Sequence, residues 1–198
     1  IPGFFLIYFD PVLLKVTFDT KLQNTVLISS SILSFYLIPI FLIILFLNKK
    51  KLFIEKKQQL LFVLISMIIV LLLSFFFDYN YKFGGGYFLK LSYLLVDNEI
   101  LFLISSAIGL LLLFNLVQEN CDNILLLFLL IFGFSAHMIF QKYFEPMFFF
   151  IFFLMIKSNI PKMFLRNIRN IYFLFIYFGI YLVTGIINDV YKITKTVL

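Results

Sequence analysis

Long uncharged apolar runs recur along this sequence, and they constrain its fold more than any other feature. A helix needs about 20 apolar residues to cross the hydrocarbon core of a bilayer, and about 17 is a working minimum. Hydrophobic residues make up 63% of the 198 residues and charged residues 13%. Soluble domains have roughly 45–50% apolar and about 25% charged residues. The sequence therefore predicts an all-α polytopic transmembrane helical bundle.

The apolar runs divide the chain into membrane spans of a single transmembrane domain over residues 1–198. Four runs are long enough on their own, a fifth is closed by Asn188 and Asp189, and a sixth is short. We expect His137, inside one of the runs, to form a hydrogen bond to a neighbouring helix. The predicted spans cover about 26–47, 60–77, 100–117, 124–140, 143–156 and 171–187.

Basic residues cluster in two segments between these runs, 48–59 and 157–170. By the positive-inside rule, both segments are predicted to be cytoplasmic. Two loops on one side require an even number of crossings between them, which favours counting the short run 143–156 as a span. The segments 1–25, 78–99 and 141–146 and the C-terminal tail then lie on the outer side, and 118–123 lies on the inner side.

Other features of the composition exclude several function classes. The net charge of +6 is carried by short runs beside apolar spans, so we expect membrane lipids as partners and no nucleic acid. One Cys and one His cannot form a zinc site by themselves, and no residue set calls for a metal or a cofactor. The chain begins at Ile1 and not at Met, so we expect it to be a piece of a longer protein.

Three consecutive glycines, Gly84, Gly85 and Gly86, lie in the predicted outer segment 78–99. Glycines permit positive φ and close backbone approach, so their N–H groups could bind a phosphate or a sugar. The surrounding sequence matches neither a P-loop nor a dinucleotide-binding motif. The alternative is a flexible turn leading into an interfacial segment with Tyr87, Lys90 and Tyr93 as anchors.

Asp97, Asn98 and Glu99 immediately precede the run 100–117. Such side chains commonly cap the first amides of a helix and suit its positive dipole end. Capping is the expected role of these residues, and a catalytic carboxylate is the alternative.

The segment 141–146 places polar groups between two apolar runs at the predicted outer boundary. Lys142 could pair with a phosphate, Tyr143 could stack on a sugar, and Glu145 could accept from sugar hydroxyls. The alternative is structural: Lys142 and Tyr143 would lie at the membrane interface, and Glu145 with Pro146 would begin the next helix.

The order Lys142, Tyr143 and Pro146, followed by an aromatic-rich short span, resembles the C-terminal half of GT-C superfamily glycosyltransferases. These are multispan enzymes that use polyprenyl-phosphate sugars, and Lys142 stands where many of them have Arg. The resemblance covers mainly 124–156. It implies a polyprenyl-phosphate-linked sugar as partner, hexosyltransferase activity, and a catalytic carboxylate located before Ile1.

Two other function classes stay open beside this enzyme. Coupled transporters place ionisable residues within their spans, and outside 141–146 the runs carry no Asp, Glu, Lys or Arg. A passive permease subunit is compatible with that pattern. So is a non-enzymatic scaffold or assembly subunit, for which spans without charged residues are expected.

Overall fold

The computed structural model describes residues 21–48, 56–81, 84–133 and 138–197, and they form helices and turns without a strand among them. A helix satisfies its backbone polar groups internally, which is what a lipid-exposed apolar segment requires. The helices are α1 (Leu22–Asn48), α2 (Lys56–Ser74), α3 (Gly86–Val96), α4 (Ile100–Glu119), α5 (Asn123–Phe132), α6 (Gln141–Phe150, continued by a π-helical turn, Ile151–Met155), α7 (Asn159–Leu165) and α8 (Ile168–Val197).

Among the residues that the structure describes, three helical segments are long and apolar enough to cross a membrane: Leu22–Phe46, Ile100–Glu119 and Ile168–Ile186. A fourth span is added if Gln141–Met155 and Asn159–Leu165 are counted as one broken span. The all-α class and the presence of helices of membrane-spanning type are therefore confirmed for the described residues. The count of six spans stays a prediction.

The helix bounds differ from the predicted segments in several places. In the described part of the predicted run 124–140, the helix α5 ends at Phe132 after ten residues, and residues 134–137 lie outside the described part. His137 lies outside the described residues, as do 1–20 and most of the basic segment 48–59. The predicted outer loop 78–99 contains α3, an 11-residue helix.

The predicted run 60–77 ends as a helix at Ser74, although apolar residues continue. Side chains from α1 hold the following turn. Gln23 Nε2 donates to the carbonyl of Phe76 at 3.2 Å, and Asn24 Nδ2 donates to the carbonyl of Asp78 at 2.7 Å. These bonds occupy carbonyls beyond the helix end.

The chain divides into two compact units at Ile38/Pro39 and again at Ser158/Asn159. The larger unit contains the described residues 21–38 and 56–158. The smaller contains the described residues 39–48 and 159–197, in which the buried Asn170 donates to the carbonyl of Phe164 at 2.9 Å. Many apolar side chains of α8 are exposed, as expected for a helix in contact with lipid.

Small residues bring α1 and α4 together in the larger unit. The hydroxyls of Ser31 and Ser105 are 2.7 Å apart, and the hydroxyl of Ser106 donates to the carbonyl of Leu27 at 2.9 Å. A Cβ placed on Gly109 would lie 2.0 Å from the carbonyl oxygen of Ser30. Close approach through Ser and Gly is the usual way in which membrane helices associate.

Helices α2 and α4 of the larger unit run antiparallel. Gln118 Nε2 donates to Gln58 Oε1 at 2.5 Å, and the rings of Phe62 and Phe114 stack with centroids 5.7 Å apart. Residue numbers therefore increase along α2 in the direction in which they decrease along the facing side of α4.

Candidate functional site

Three consecutive glycines form the first part of the candidate site. Gly84, Gly85 and Gly86 have φ angles of 143°, 83° and 80°, a range that residues with a side chain rarely adopt. All three are buried. The left-handed backbone of the buried turn that leads into α3 therefore requires glycine at these positions.

The glycine segment lies against the residues that precede α6. The N–H of Gly85 donates to the carbonyl of Ile139 at 2.9 Å, and the N–H of Ile139 donates to the phenol oxygen of Tyr79 at 3.0 Å. A Cβ on Gly84 would lie 2.6 Å from the same Ile139 oxygen, so a larger residue would displace backbone. Residues 84–86 together with 139–141 are called the glycine junction below.

Gln141 joins three helices at the glycine junction. Its Oε1 accepts the N–H of Tyr87 at 2.8 Å, one of the first amides of α3, which have no partner within the helix. Its carbonyl accepts the hydroxyl of the buried Tyr36 of α1 at 3.5 Å. A Cβ on Gly86 would lie 2.6 Å from Ile32 of α1. The start of α6 therefore contacts both α1 and α3.

The predicted substrate-binding side chains Lys142, Tyr143 and Glu145 are exposed immediately after this contact. Lys142 Nζ lies 5.2 Å from the ring centroid of Tyr143 and 5.5 Å from that of Phe140, within the range of a cation–π interaction. Glu145 forms no ion pair with another described residue. The structure thus brings the 141–146 segment to the glycines through Gln141, and leaves its cation and carboxylate accessible.

Pro146 does not begin the helix, so that structural alternative for Glu145 and Pro146 is wrong. α6 begins at Gln141, and Pro146 lies inside it. Proline has no N–H to donate to the carbonyl four residues earlier, which is that of Lys142. The backbone carbonyl of Lys142 therefore lacks its usual helical donor, next to the exposed ammonium of the same residue.

The predicted anchors Lys90 and Tyr93 lie on α3, with Lys90 exposed. The rings of Tyr81 and Tyr93 stack with centroids 4.3 Å apart, and the Tyr93 hydroxyl donates to Glu99 Oε1 at 2.7 Å. Burial, followed by the bond to the Glu99 carboxylate, raises the pKa of Tyr93 to about 12. Tyr93 is thus a neutral donor at physiological pH.

Capping by Glu99 was expected and is wrong. Glu99 is the N-cap of α4 but makes no side-chain bond to its amides. Its carboxylate instead accepts the hydroxyl of Tyr93. The Tyr93 phenol competes with the first amides of α4 for the Glu99 carboxylate. The sequence did not indicate that Tyr93 would be the partner of Glu99.

One set of polar contacts joins loops near the first residues of α1. Lys21 Nζ lies 2.6 Å from a carboxylate oxygen of Asp78, and Lys21 holds the pKa of Asp78 below its usual value. Tyr79 follows Asp78 in the chain. Its phenol oxygen contacts the glycine junction by accepting the N–H of Ile139. Burial raises the pKa of Tyr79, while the hydrogen bond with the Ile139 backbone opposes that shift.

A second set joins the turn between α4 and α5 to the segment after α6. The fully buried Asn123 donates to the carbonyl of Leu116 at 2.8 Å and accepts the N–H of Lys157 at 2.9 Å. Lys157 Nζ lies 2.7 Å from Asp122 on the exposed side of this contact. Asn123 therefore fixes two chain segments with a single buried amide.

Tyr36, Tyr79 and Asn123 are structural partners that the sequence alone did not single out, and Gln141 was noted only as the first residue of a polar segment. A phenol within an apolar run is a usable signal, because buried tyrosine hydroxyls usually find a hydrogen-bond partner. Asn123 gave no such signal, because asparagine beside a turn is common on protein surfaces.

The candidate site offers exposed lysines, tyrosines and a carboxylate beside a buried glycine turn. These groups can form charge-assisted and neutral hydrogen bonds to phosphate and sugar oxygens. Among the described residues, no group of three or more His, Cys, Asp and Glu side chains could hold a metal ion. Compared with protein-family models, curated proteins and solved structures, the chain matches none.

Proposed function

We propose that the protein is a membrane glycosyltransferase, or the later portion of one, that transfers a sugar from a lipid-phosphate donor at the outer membrane face. The supporting observation is the contact between Gln141 and Tyr87, 54 residues apart in the chain. It joins the buried glycine segment, which holds the backbone in place, to the exposed Lys142 and Tyr143 of the motif, whose side chains suit a phosphate and a sugar.

Each exposed side chain of the motif has a distinct role in this proposal. Lys142 pairs with the donor phosphate, because a cation with three N–H donors suits phosphate oxygens. Tyr143 contacts the sugar, and Glu145 accepts from its hydroxyls. Lys90 on α3 supplies a second positive charge on the outer side.

The proposal includes six membrane crossings, with the basic segments 48–59 and 157–170 in the cytoplasm. The contacts between loops support this sidedness. Gln58–Gln118 and Asp122–Lys157 each join two segments predicted to be inside. Lys21–Asp78 and Gly85–Ile139 join segments on the predicted outer side or next to it.

Sugar transfer from a polyprenyl-phosphate donor tests the proposal in membranes that carry the full-length gene product. Wild type is compared with Lys142→Ala and Glu145→Ala at matched expression. We expect each substitution to lower transfer roughly tenfold or more, since a hydrogen bond to a charged group contributes about 1.5–3 kcal/mol. Lys162→Ala is the matched control, because Lys162 is an exposed lysine on α7, within the predicted cytoplasmic segment.

Unchanged transfer in Lys142→Ala and Glu145→Ala, with Lys162→Ala also unchanged, would remove the 141–146 segment from the donor site. Absence of transfer from every version, including wild type, would reject the enzyme. Membrane insertion is checked in each case by protease protection of the loops.

A scaffold or passive permease subunit is the second candidate. The observation that favours it is the chemistry of the core: the buried polar residues in the described part of the chain are Ser, Thr and Asn, without a buried charge. A coupled transport pathway needs ionisable groups within the spans. Copurification of a stable partner protein, without transfer activity, is the result expected of this candidate.

A further inference from the structure

Arginine occurs only twice in this chain, and both arginines lie where α7 connects to α8. The sequence has 16 Lys and Arg residues, of which Arg166 and Arg169 are the only arginines. The guanidinium group differs from an ammonium in its planar fork of N–H donors, which can bind two oxygens of one phosphate. The two side chains best suited to a phosphate are therefore three residues apart.

Two asparagines hold the connection between α7 and α8 within the smaller unit. Asn167 Oδ1 accepts the N–H of Arg169 at 3.1 Å, and the carbonyl of Asn167 accepts the N–H of Asn170 at 2.9 Å. Asn170 is fully buried, and its side chain donates to the carbonyl of Phe164 at 2.9 Å. The side chains of Arg166 and Arg169 are exposed. Hydrogen bonds thus hold the turn in place while both arginines stay accessible.

The length of the apolar part of α8 sets the depth of this turn in a membrane. The segment Ile168–Ile186 has 19 residues, which at 1.5 Å per residue gives about 28 Å. The hydrocarbon core of a bilayer is about 30 Å thick, so a crossing uses the whole segment. Its first residue then lies at the boundary with the lipid headgroups, and Arg169 is the next residue in the chain.

The positive charge of this turn is not balanced within the described part of the chain. No salt bridge among the described residues includes Arg166 or Arg169. The sequence has no Asp or Glu between Glu145 and Asp189. The first turn of α8 therefore has no acidic residue, and the helix dipole adds partial positive charge there. An anion from outside the chain is the partner that these charges favour.

We propose that Arg166 and Arg169 bind the phosphate of an anionic phospholipid in the leaflet where α8 begins. A lipid phosphate lies at the depth of this turn, and Leu165 and Ile168, each adjacent to an arginine in the chain, expose apolar side chains suited to acyl chains. Basic residues at a membrane surface favour anionic over zwitterionic lipids. This lipid site goes beyond the proposed sugar transfer and does not depend on it.

The test uses the full chain reconstituted in bilayers. The protein contains no Trp, so one introduced Trp reports contact with a brominated lipid through fluorescence quenching. Tyr172→Trp is the reporter, because Tyr172 is exposed and lies three residues after Arg169, on the same face of α8. Val183→Trp is the control. Val183 is also exposed on α8, about 17 Å further along the helix axis and near the other end of the apolar segment.

Quenching by brominated phosphatidylglycerol is compared with quenching by phosphatidylcholine that carries the same brominated chains. We expect the Tyr172→Trp protein to prefer phosphatidylglycerol about fivefold or more, which is the effect of one basic residue at an anionic surface. The two lipids should quench the Val183→Trp protein equally, because its Trp lies far from both arginines.

The arginines are tested by substitutions made in the Tyr172→Trp protein. Arg166→Gln and Arg169→Gln each remove one charge and should lower the preference roughly threefold or more. Arg169→Lys keeps the charge but loses the forked donors, so it should retain only part of the preference. Quenching by phosphatidylcholine should stay unchanged in these variants. A misfolded variant would change the quenching by both lipids and so is distinguishable from loss of the site.

Equal lipid preference in the Tyr172→Trp and Val183→Trp proteins would overturn the proposal. A preference that neither Arg166→Gln nor Arg169→Gln lowers would also overturn it. The same holds if an acidic protein copurifies with wild type, is lost from both glutamine variants, and no lipid preference is found. That result would assign the arginines to a soluble partner.

Discussion

Gln141 Oε1 accepts the backbone N–H of Tyr87 at 2.8 Å, and this bond connects the first turn of α3 to the first residue of α6. The same residue accepts the hydroxyl of Tyr36 through its carbonyl. The first amides of a helix have no intrahelical acceptor. Gln141 therefore contributes to the start of α3 and to the position of the exposed side chains that follow it on α6.

Gln141→Leu is expected to destabilise the protein by about 1–3 kcal/mol, because the Tyr87 amide loses its acceptor in a partly buried place. SDS-induced unfolding in mixed micelles, followed by far-UV circular dichroism, measures the difference. Gln118→Leu is the matched control. Its bond to Gln58 is exposed, so we expect a change below about 0.5 kcal/mol. Equal losses in the two variants would contradict the role given to Gln141.

Gly109→Ala is expected to destabilise by about 1–3 kcal/mol, since overpacking a tight contact forces shifts of backbone or side chains. The added Cβ would lie 2.0 Å from the backbone oxygen of Ser30, so α1 and α4 must move apart.

Gly179→Ala is the control for this prediction. A Cβ at Gly179 would meet nothing within 4 Å, and alanine is favoured over glycine in a helix interior by roughly 0.5–1 kcal/mol. With both variants in one detergent, the midpoint temperature of thermal unfolding should therefore fall for Gly109→Ala and rise for Gly179→Ala. A Gly109→Ala protein as stable as wild type would show that α1 and α4 do not pack as closely as described.

Asn123→Leu is expected to destabilise by at least about 2 kcal/mol, because it leaves the carbonyl of Leu116 and the N–H of Lys157 without their partner. Lys157→Ala removes only the ion pair with Asp122, whose side chains are both 65% exposed. Exposed pairs contribute about 0–1 kcal/mol. Unfolding free energies of the two variants distinguish the buried amide from the surface charge pair, and equal values would contradict the assignment.

The helical class was predictable because uncharged apolar runs leave the backbone no other way to satisfy its polar groups. The long runs around Leu37 in α1 and Leu110 in α4 gave helices within a few residues of the expected bounds. The run 124–140 did not, because hydropathy reports composition and not where a helix ends. It could not reveal that α5 ends after Phe132.

The candidate site was predictable in its parts but not in its assembly. The three glycines indicated a special backbone, which their positive φ angles confirm. The hydrogen-bond partner of Gly85 is the backbone carbonyl of Ile139. Every residue has such a carbonyl, so the type of residue at 139 does not indicate the contact. The exposure of Lys142 and Glu145 is likewise a tertiary property. Contacts between segments far apart in the chain decide such features, and one sequence does not record them.

The ionisation of Tyr93 gives a pH dependence. Its folded pKa of about 12 lies above the ordinary value of 10.0. Below the ordinary value the phenol is protonated in both the folded and the unfolded state, so its contribution to stability is fully present. As the pH rises from the ordinary value to the folded value, the unfolded state loses its proton first, and that contribution is lost.

Ultraviolet titration of tyrosinate absorbance measures this pKa as the difference between wild type and Tyr93→Phe. We expect the difference between the two proteins to show one tyrosine, Tyr93, with a pKa of about 12. Glu99→Gln should lower the Tyr93 pKa, because it removes the negative charge that opposes ionisation of the phenol. Tyr143→Phe is the control for loss of an exposed tyrosine. A Tyr93 step at the ordinary value, unmoved by Glu99→Gln, would show that the phenol does not donate to Glu99 in the folded protein.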